Sequence, residues 1–209
     1  LEQDVEEHTD ETHVTVNREE TEEIKSSLPP YQITKLPSKV GKPELHLHSF
    51  AELGGWVTDV VKTEGPIHLE ELIRRIADAA GLSKVTSRVK YTVTQGAQYA
   101  KDNGFIKDNG EFLWPADMET PVLRDRSALP AASKKIELIA PEEIDLAIQK
   151  VVEDAIGIQP AAAVPFIAKT LGFSRVTEDL KNDILHFIDL SLAKKSIVLD
   201  GDFLKKNED

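Results

Sequence analysis

Seven side chains suited to nucleic-acid recognition gather on and around one predicted helix in the middle of the chain. Hydroxyl, amide and guanidinium groups can donate hydrogen bonds to phosphates and base edges, and lysines can flank them as phosphate contacts. Because only about three cations are involved, we expect modest, salt-sensitive binding. An ordinary solvated face, or one that binds protein, is the alternative. The candidate residues are Lys84, Ser87, Arg88, Tyr91, Gln95, Gln98 and Lys107.

A helix predicted between the turn at Gly81 and Asn103-Gly104 positions most of these residues. Apolar and small residues recur along it every three to four positions, which puts them on one buried face and the polar side chains on the other. The next turn, Asn109-Gly110, accepts the positive φ angles of a tight hairpin. A helix followed by a hairpin is typical of a winged helix. The predicted buried residues are Val85, Val89, Val93, Gly96, Ala97 and Ala100.

Two more helices are predicted upstream, over residues 50–63 and 69–80, with a short strand at Ile67 that pairs with the hairpin. The second and third helices then form a helix-turn-helix, whose second helix is the one that enters a DNA major groove. Trp56 and Trp114 occupy apolar positions, so we expect them to pack in the core or hairpin. The predicted buried stripes are Phe50, Leu53, Trp56, Val57, Val60 and Val61 on the first helix, and Leu72, Ile73, Ile76 and Ala80 on the second.

The same plan occurs twice along the chain. With a shift of 91 positions and no gap, residues 49–114 share 15 identities in 66 positions with residues 140–205, where about four are expected for unrelated sequences. The second copy predicts helices over residues 142–155, 161–171 and 177–194, then a hairpin turning at Asp200-Gly201. Its third helix carries acids on the outward face, which would repel phosphate. Those outward residues are Glu178, Asp179, Asn182, Asp183, His186 and Asp189.

Charge and composition divide the rest of the chain. The net charge is −12, and residues 1–23 hold ten acids and one Arg, whereas residues 49–115 sum to −1. We predict a disordered acidic arm and a proline-containing linker over residues 1–43, domains over 44–115 and 140–209, and a polar connector over 116–139. The fold class is mainly α with small β-hairpins (α+β), built as tandem winged-helix domains. The chain has no cysteine and no apolar run of membrane-spanning length, so we expect a cytoplasmic protein without membrane contact.

Other candidate sites are weaker. His46, His48 and His68 lack the cysteine or carboxylate neighbours of a typical metal site, so we expect neither a metal nor another cofactor. Residues 44–48 alternate in polarity and predict a short strand laid against the first domain. The chain contains neither a phosphate-binding glycine loop nor a nucleophile elbow, so we do not expect an enzyme.

Four sequence blocks resemble the C-terminal domain of unknown function of large bacterial and archaeal helicase-like proteins of superfamily I. The blocks lie at residues 65–72, at 104–106 with 112–115, at 124–127, and at 135–143, and the resemblance spans residues 44–206. It implies an accessory module that helps a helicase motor or nuclease domain engage DNA. No catalytic residue is carried over, because the motor and nuclease motifs are absent from this sequence. Since the chain begins at Leu1, we expect it to be part of a longer polypeptide, such as an ATP-dependent DNA helicase.

Three functional hypotheses follow. The first is a non-catalytic tandem winged-helix module that contacts DNA through helix three and the hairpin of the first domain. The second is a module for protein interaction or dimerisation, which docks on the motor or nuclease domain of its parent protein. In the third, the acidic arm mimics nucleic acid and covers the basic face of the first domain.

Overall fold

The computed structural model describes residues 28–37, 40 and 44–207. The predicted acidic arm over residues 1–25 lies outside the described residues. The fold is mixed α+β and mainly helical, with six α-helices and two small antiparallel sheets in the part of the chain described.

The first unit, defined as residues 44–115, contains three helices and a three-stranded sheet. The sheet order is β1-β3-β2, and Ile67 of β1 faces Leu113 of β3, which confirms the predicted strand at Ile67. The elements are α1 (Phe50–Glu64), β1 (Ile67–His68), α2 (Leu69–Ala79), α3 (Ser87–Asp102), β2 (Ile106–Asn109) and β3 (Phe112–Pro115).

The second unit, residues 140–209, repeats this order. A shift of 91 positions carries the bounds of α1, α2, α3, β2 and β3 onto those of α4, α5, α6, β4 and β5 without a difference at either end. Ile158 forms an isolated bridge with Leu204, just as Ile67 pairs with Leu113. The elements are α4 (Pro141–Ala155), α5 (Pro160–Thr170), α6 (Glu178–Ala193), β4 (Ile197–Asp200) and β5 (Phe203–Lys206).

Equivalent threonines start the third helix of each unit. The side chain of Thr86 accepts a hydrogen bond from the backbone N–H of Val89 at 3.3 Å, and Thr177 accepts one from Leu180 at 3.2 Å. Each cap satisfies a backbone donor that the first helical turn leaves unpaired. The repeated Val-Thr pair therefore fixes where both helices begin.

Buried apolar residues form two clusters, one drawn from residues 40–113 and the other from residues 123–204. Most predicted stripe residues are buried, but Phe50 is 55% exposed and Val85 is 38% exposed. Phe50 is the first residue of α1 and lies beyond the core, while Val85 precedes the Thr86 cap and is outside the helix. Those two predictions were wrong because the periodicity was extended to the first residue of α1 and into the turn before α3. Ala80 and Val89 are partly buried and pack against the first cluster.

Helices α1 and α3 cross at very short range through glycines. A Cβ atom added at Gly96 would lie 2.7 Å from the Cβ of Leu53, and one added at Gly54 would lie 2.6 Å from the ring of Tyr99. The missing side chains let the two backbones approach, so α1 holds α3 by its apolar side. The polar side of α3 consequently faces outward.

The predicted strand at residues 44–48 was wrong. Leu45–Leu47 form a 3₁₀ helix, in which the Leu47 N–H donates to the Glu44 carbonyl at 2.8 Å. Only Leu45 is buried, whereas Leu47 is 63% exposed, so the alternating polarity does not mark one buried strand face. An equivalent turn at Ile136–Leu138 precedes the second unit.

The connector, residues 116–139, was predicted to be polar, but several of its side chains, charged ones included, are buried. Leu123 and Ile136 belong to the second core cluster. Arg124 and Arg126 are 8% and 3% exposed. Both guanidinium groups bind the carboxylate of Glu143, which is fully buried at the start of α4, and Arg124 also donates to the Glu64 carbonyl at 2.8 Å. The arginines thus link the end of α1 to the start of α4.

A second buried acid, Glu64, extends this ion cluster. Its carboxylate accepts hydrogen bonds from the Arg75 guanidinium at 2.9 Å and from the Tyr31 hydroxyl at 3.1 Å. The Arg124 guanidinium lies over the Tyr31 ring, 4.6 Å from its centroid. The segment around Tyr31 spans both units, because Leu28 packs against the second core cluster and Leu36 against the first. This N-terminal strap, residues 28–37, and the connector together join the units.

Because of the ion cluster, part of the protein's stability is lost when the pH becomes acidic. Burial alone would raise the pKa of Glu143, but hydrogen bonds and charge from Arg126 and Arg124 outweigh it and lower the pKa below the ordinary glutamate value of 4.5. A lowered folded-state pKa contributes stability that is complete above 4.5 and declines as the pH falls toward the folded value. We expect the free energy of unfolding, measured with denaturant, to fall as the pH is lowered below about 5, and to fall less in Glu143→Ala. An equal loss in both proteins would contradict this assignment.

Candidate nucleic-acid interface

Helix α3 presents most of the predicted interface residues on its outward face. Ser87, Arg88 and Gln98 are exposed, Tyr91 is 65% exposed, and Gln95 is half-buried. Lys84 is exposed in the turn before the helix, and Lys107 is exposed on strand β2. The structure therefore brings the first five together on one helix, with Lys84 at its N-terminal end and Lys107 on the neighbouring hairpin.

Three predicted cations have no ion-pair partner among the described residues, namely Lys84, Arg88 and Lys107. Their charges are available to an anionic partner. Gln98 is less available, because its amide donates to Asp102 at 2.7 Å. The chemistry that remains is phosphate contact at the helix start, with Ser87, Tyr91 and Gln95 beside it.

Lys84 and Arg88 line a shallow groove of about 310 Å³ between α3 and the 3₁₀ turn at Leu45–Leu47. Glu44 and His46 line it from the opposite side. The Glu44 carboxylate weakens the positive potential in this groove. Neither Glu44 nor His46 was predicted there, because sequence spacing does not indicate that the turn folds against α3.

The tip of the β2–β3 hairpin contacts the second unit. The Asn109 side chain donates to the Glu142 carboxylate at 2.7 Å, and Asp108 pairs with Lys101 at 3.0 Å. The turn is thus held beside the first turn of α4. Lys107 is the hairpin residue predicted to contact DNA. It is exposed, and its side chain takes part in neither of these two contacts.

The histidines and tryptophans have structural contacts. The His68 ring accepts a hydrogen bond from the Glu70 N–H at 3.1 Å and so caps α2. The His48 ring packs edge-on against the Trp56 ring, with the two ring centroids 4.7 Å apart. Trp56 and Trp114 are each 4% exposed. In the described part of the chain, no cluster of three or more histidine, aspartate or glutamate side chains has the arrangement of a metal site.

The equivalent face of α6 has the opposite charge. The shift of 91 positions places Asp179 where Arg88 stands and Glu178 where Ser87 stands, and both acids are exposed. Lys181, the one cation in the first turns of α6, pairs with Glu178 at 3.4 Å. The two units therefore present unlike surfaces on the same set of elements.

The architecture defines a mainly helical α+β protein. Residues 44–91, from the 3₁₀ turn into α3, match the family model described as "Protein of unknown function (DUF3320)". No curated protein and no solved structure matches the chain. Within the described residues, every helix is too short or too polar to span a membrane.

Proposed function

We propose that this chain is a non-catalytic, cytoplasmic pair of winged-helix domains, and that the first domain contacts DNA. The supporting observation is the outward face of α3, where Lys84 and Arg88 stand without ion-pair partners among the described residues beside exposed polar side chains. Helix α3 follows α2 through a turn and precedes a hairpin, the order of a winged helix-turn-helix. The sequence resemblance to helicase-like proteins supports an accessory role in a larger helicase or nuclease protein.

The electrostatics favour the first unit as the DNA-binding one. Phosphate contacts supply most of the sequence-independent affinity for DNA, and they depend on unpaired cations. The outward face of α6 carries the exposed acids Glu178, Asp179 and Asp189 at the positions of Ser87, Arg88 and Gln98. Because Glu44 shares the groove with Lys84 and Arg88, we expect weak binding that is lost at moderate salt.

Arg88→Glu is expected to weaken binding to a short fluorescent DNA duplex at low salt by about tenfold or more, because it removes one phosphate contact and adds repulsion. Fluorescence anisotropy measures the change. Lys62→Glu, an exposed lysine on α1 with the same change in charge, is the matched control and should retain most of the affinity. Equal losses in the two variants would contradict a specific role for α3.

The second candidate is a protein-interaction module that docks on the motor or nuclease domain of its parent protein, or that dimerises. The observation that favours it is the acidic outward face of α6, which is better suited to a basic protein surface than to DNA. Absence of binding to single-stranded, duplex and junction DNA at low salt would favour this candidate.

A further inference from the structure

The second unit has an apolar groove between the end of α4 and the outward face of α5. The groove has a volume of about 390 Å³, and Phe166 on its wall is 57% exposed. The neighbouring surface of α5 continues the apolar character with Ala162 and Pro165, which are both exposed. The lining residues are Val151, Asp154, Ala155, Ile158, Phe166, Lys169 and Thr170.

The central part of the equivalent surface of the first unit is covered by the chain itself. The shift of 91 positions places Ala155 over Glu64 and Phe166 over Arg75. Glu64 is fully buried and Arg75 is 8% exposed, since the N-terminal strap lies on them. The Thr34 N–H donates to the Glu64 carboxylate at 2.9 Å, beside the hydrogen bond from Tyr31. A non-helical segment therefore covers Glu64 and Arg75 in the first unit, whereas none of the described residues covers Ala155 and Phe166 in the second.

Ile156, beside the groove, is a second feature that an occupant would explain. It ends α4 with a φ of 59°, directly follows the groove residue Ala155, and is 90% exposed. A β-branched residue in this left-handed conformation costs about 1–3 kcal/mol, and such residues cluster at ligand contacts. A segment bound in the groove would contact Ala155 and so lie close to Ile156.

The start of the described chain lies near one end of the groove. Leu28 packs against the second core cluster, and the Pro29 carbonyl accepts a hydrogen bond from the Asp125 N–H at 2.9 Å. The next connector residue, Arg126, lies against Gly172, two residues after Thr170 of the groove. Leu28 therefore lies on the side of the second unit where α5 ends.

We propose that the groove between α4 and α5 binds residues 12–18 of the same chain. These residues, Thr-His-Val-Thr-Val-Asn-Arg, contain no acid, although residues 1–23 hold ten. In an extended segment Val14 and Val16 lie on the same side and fit an apolar groove. The twelve residues from Val16 to Leu28 can span up to about 40 Å, whereas α5 with its 11 residues is only about 16 Å long. Lys169 at the rim complements the acids that flank the segment.

The absence of cysteine from the chain allows a direct test by disulfide cross-linking. In the full chain, Thr15→Cys combined with Lys169→Cys should form an intramolecular disulfide about tenfold or more faster than Thr15→Cys with Lys62→Cys, because docking raises the local concentration of the two thiols. Mass spectrometry and non-reducing electrophoresis measure the product. A disulfide requires the two Cα atoms to come within about 7 Å, so chance encounters are slow.

Three outcomes would overturn the proposal. Equal rates for the two pairs would exclude docking, and a covalent dimer as the main product would assign the groove to a second copy. A faster link from Thr15→Cys to Lys84→Cys would place the segment on the first unit, where it would cover the candidate nucleic-acid interface instead.

Variants of the segment itself complete the test. The double variant Val14→Asp/Val16→Asp should form the disulfide between positions 15 and 169 only as fast as the control pair forms its own. Val5 is an apolar residue outside the segment, so Val5→Asp should leave the rate of disulfide formation unchanged. A link that persists in the double variant would refute docking through the valines. The inference concerns the second unit alone and does not depend on DNA binding.

Discussion

Replacing Glu143 with alanine is expected to lower the free energy of unfolding by about 3–5 kcal/mol, because removal of one partner leaves buried charges unpaired. Glu143 is fully buried and receives both Arg124 and Arg126, with the Arg126 Nη2 atom 2.6 Å from its carboxylate. Neither arginine has more than 8% of its surface exposed, so water cannot replace the lost carboxylate. Denaturant titration at neutral pH measures the effect.

The neighbouring acid provides the control. Glu142 lies in the same turn of α4 and accepts one exposed hydrogen bond, from Asn109, so Glu142→Ala should cost less than about 1 kcal/mol. Replacing Glu143, Arg124 and Arg126 together with leucine should cost less than Glu143→Ala alone, because the remaining buried charges, Glu64 and Arg75, still pair with each other. A loss near zero in Glu143→Ala would show that the cluster does not hold the units together.

Hydrophobic periodicity was sufficient to predict most of the helices in this chain. The first helix was predicted over residues 50–63 and lies at Phe50–Glu64, and the second was predicted over residues 69–80 and lies at Leu69–Ala79. Local spacing determines these elements, and the internal repeat supplied a second copy of each pattern. The turn at Leu45–Leu47 was missed because alternation over five residues does not distinguish a strand from a turn that buries one side chain.

Contacts between distant segments were not predictable in the same way. Arg124 and Arg126 were predicted only as part of a polar connector, because nothing in the neighbouring sequence indicates that Glu143 lies beside them. The hairpin contact between Asn109 and Glu142 was missed for the same reason. The exposed positions on α3 followed from helical geometry alone, but the groove that contains Glu44 depends on a fold-back that local patterns do not encode.

The two equivalent glycines that follow α2 and α5 should respond very differently to alanine. Gly81 has a φ of 70° with nothing within 4 Å of an added Cβ, so Gly81→Ala should cost only the left-handed conformation, about 1–2 kcal/mol. Gly172 has a φ of 89°, and an added Cβ would lie 2.7 Å from the backbone of Arg126 and Ser127. Gly172→Ala should therefore cost about 2–5 kcal/mol, because the connector must also move away.

The comparison within one chain isolates the packing contribution. Both substitutions restrict the unfolded chain equally, so this stabilising effect of about 0.4–1 kcal/mol cancels between them. The remaining difference in unfolding free energy, about 1–3 kcal/mol, measures how closely the connector is held against the turn after α5. Because the moved backbone carries Arg126, Gly172→Ala should add less to the destabilisation when Glu143→Ala is already present. Equal losses of unfolding free energy in Gly81→Ala and Gly172→Ala would mean that the connector backbone moves away from position 172 without resistance. The ion cluster would then not hold the two units in a fixed arrangement.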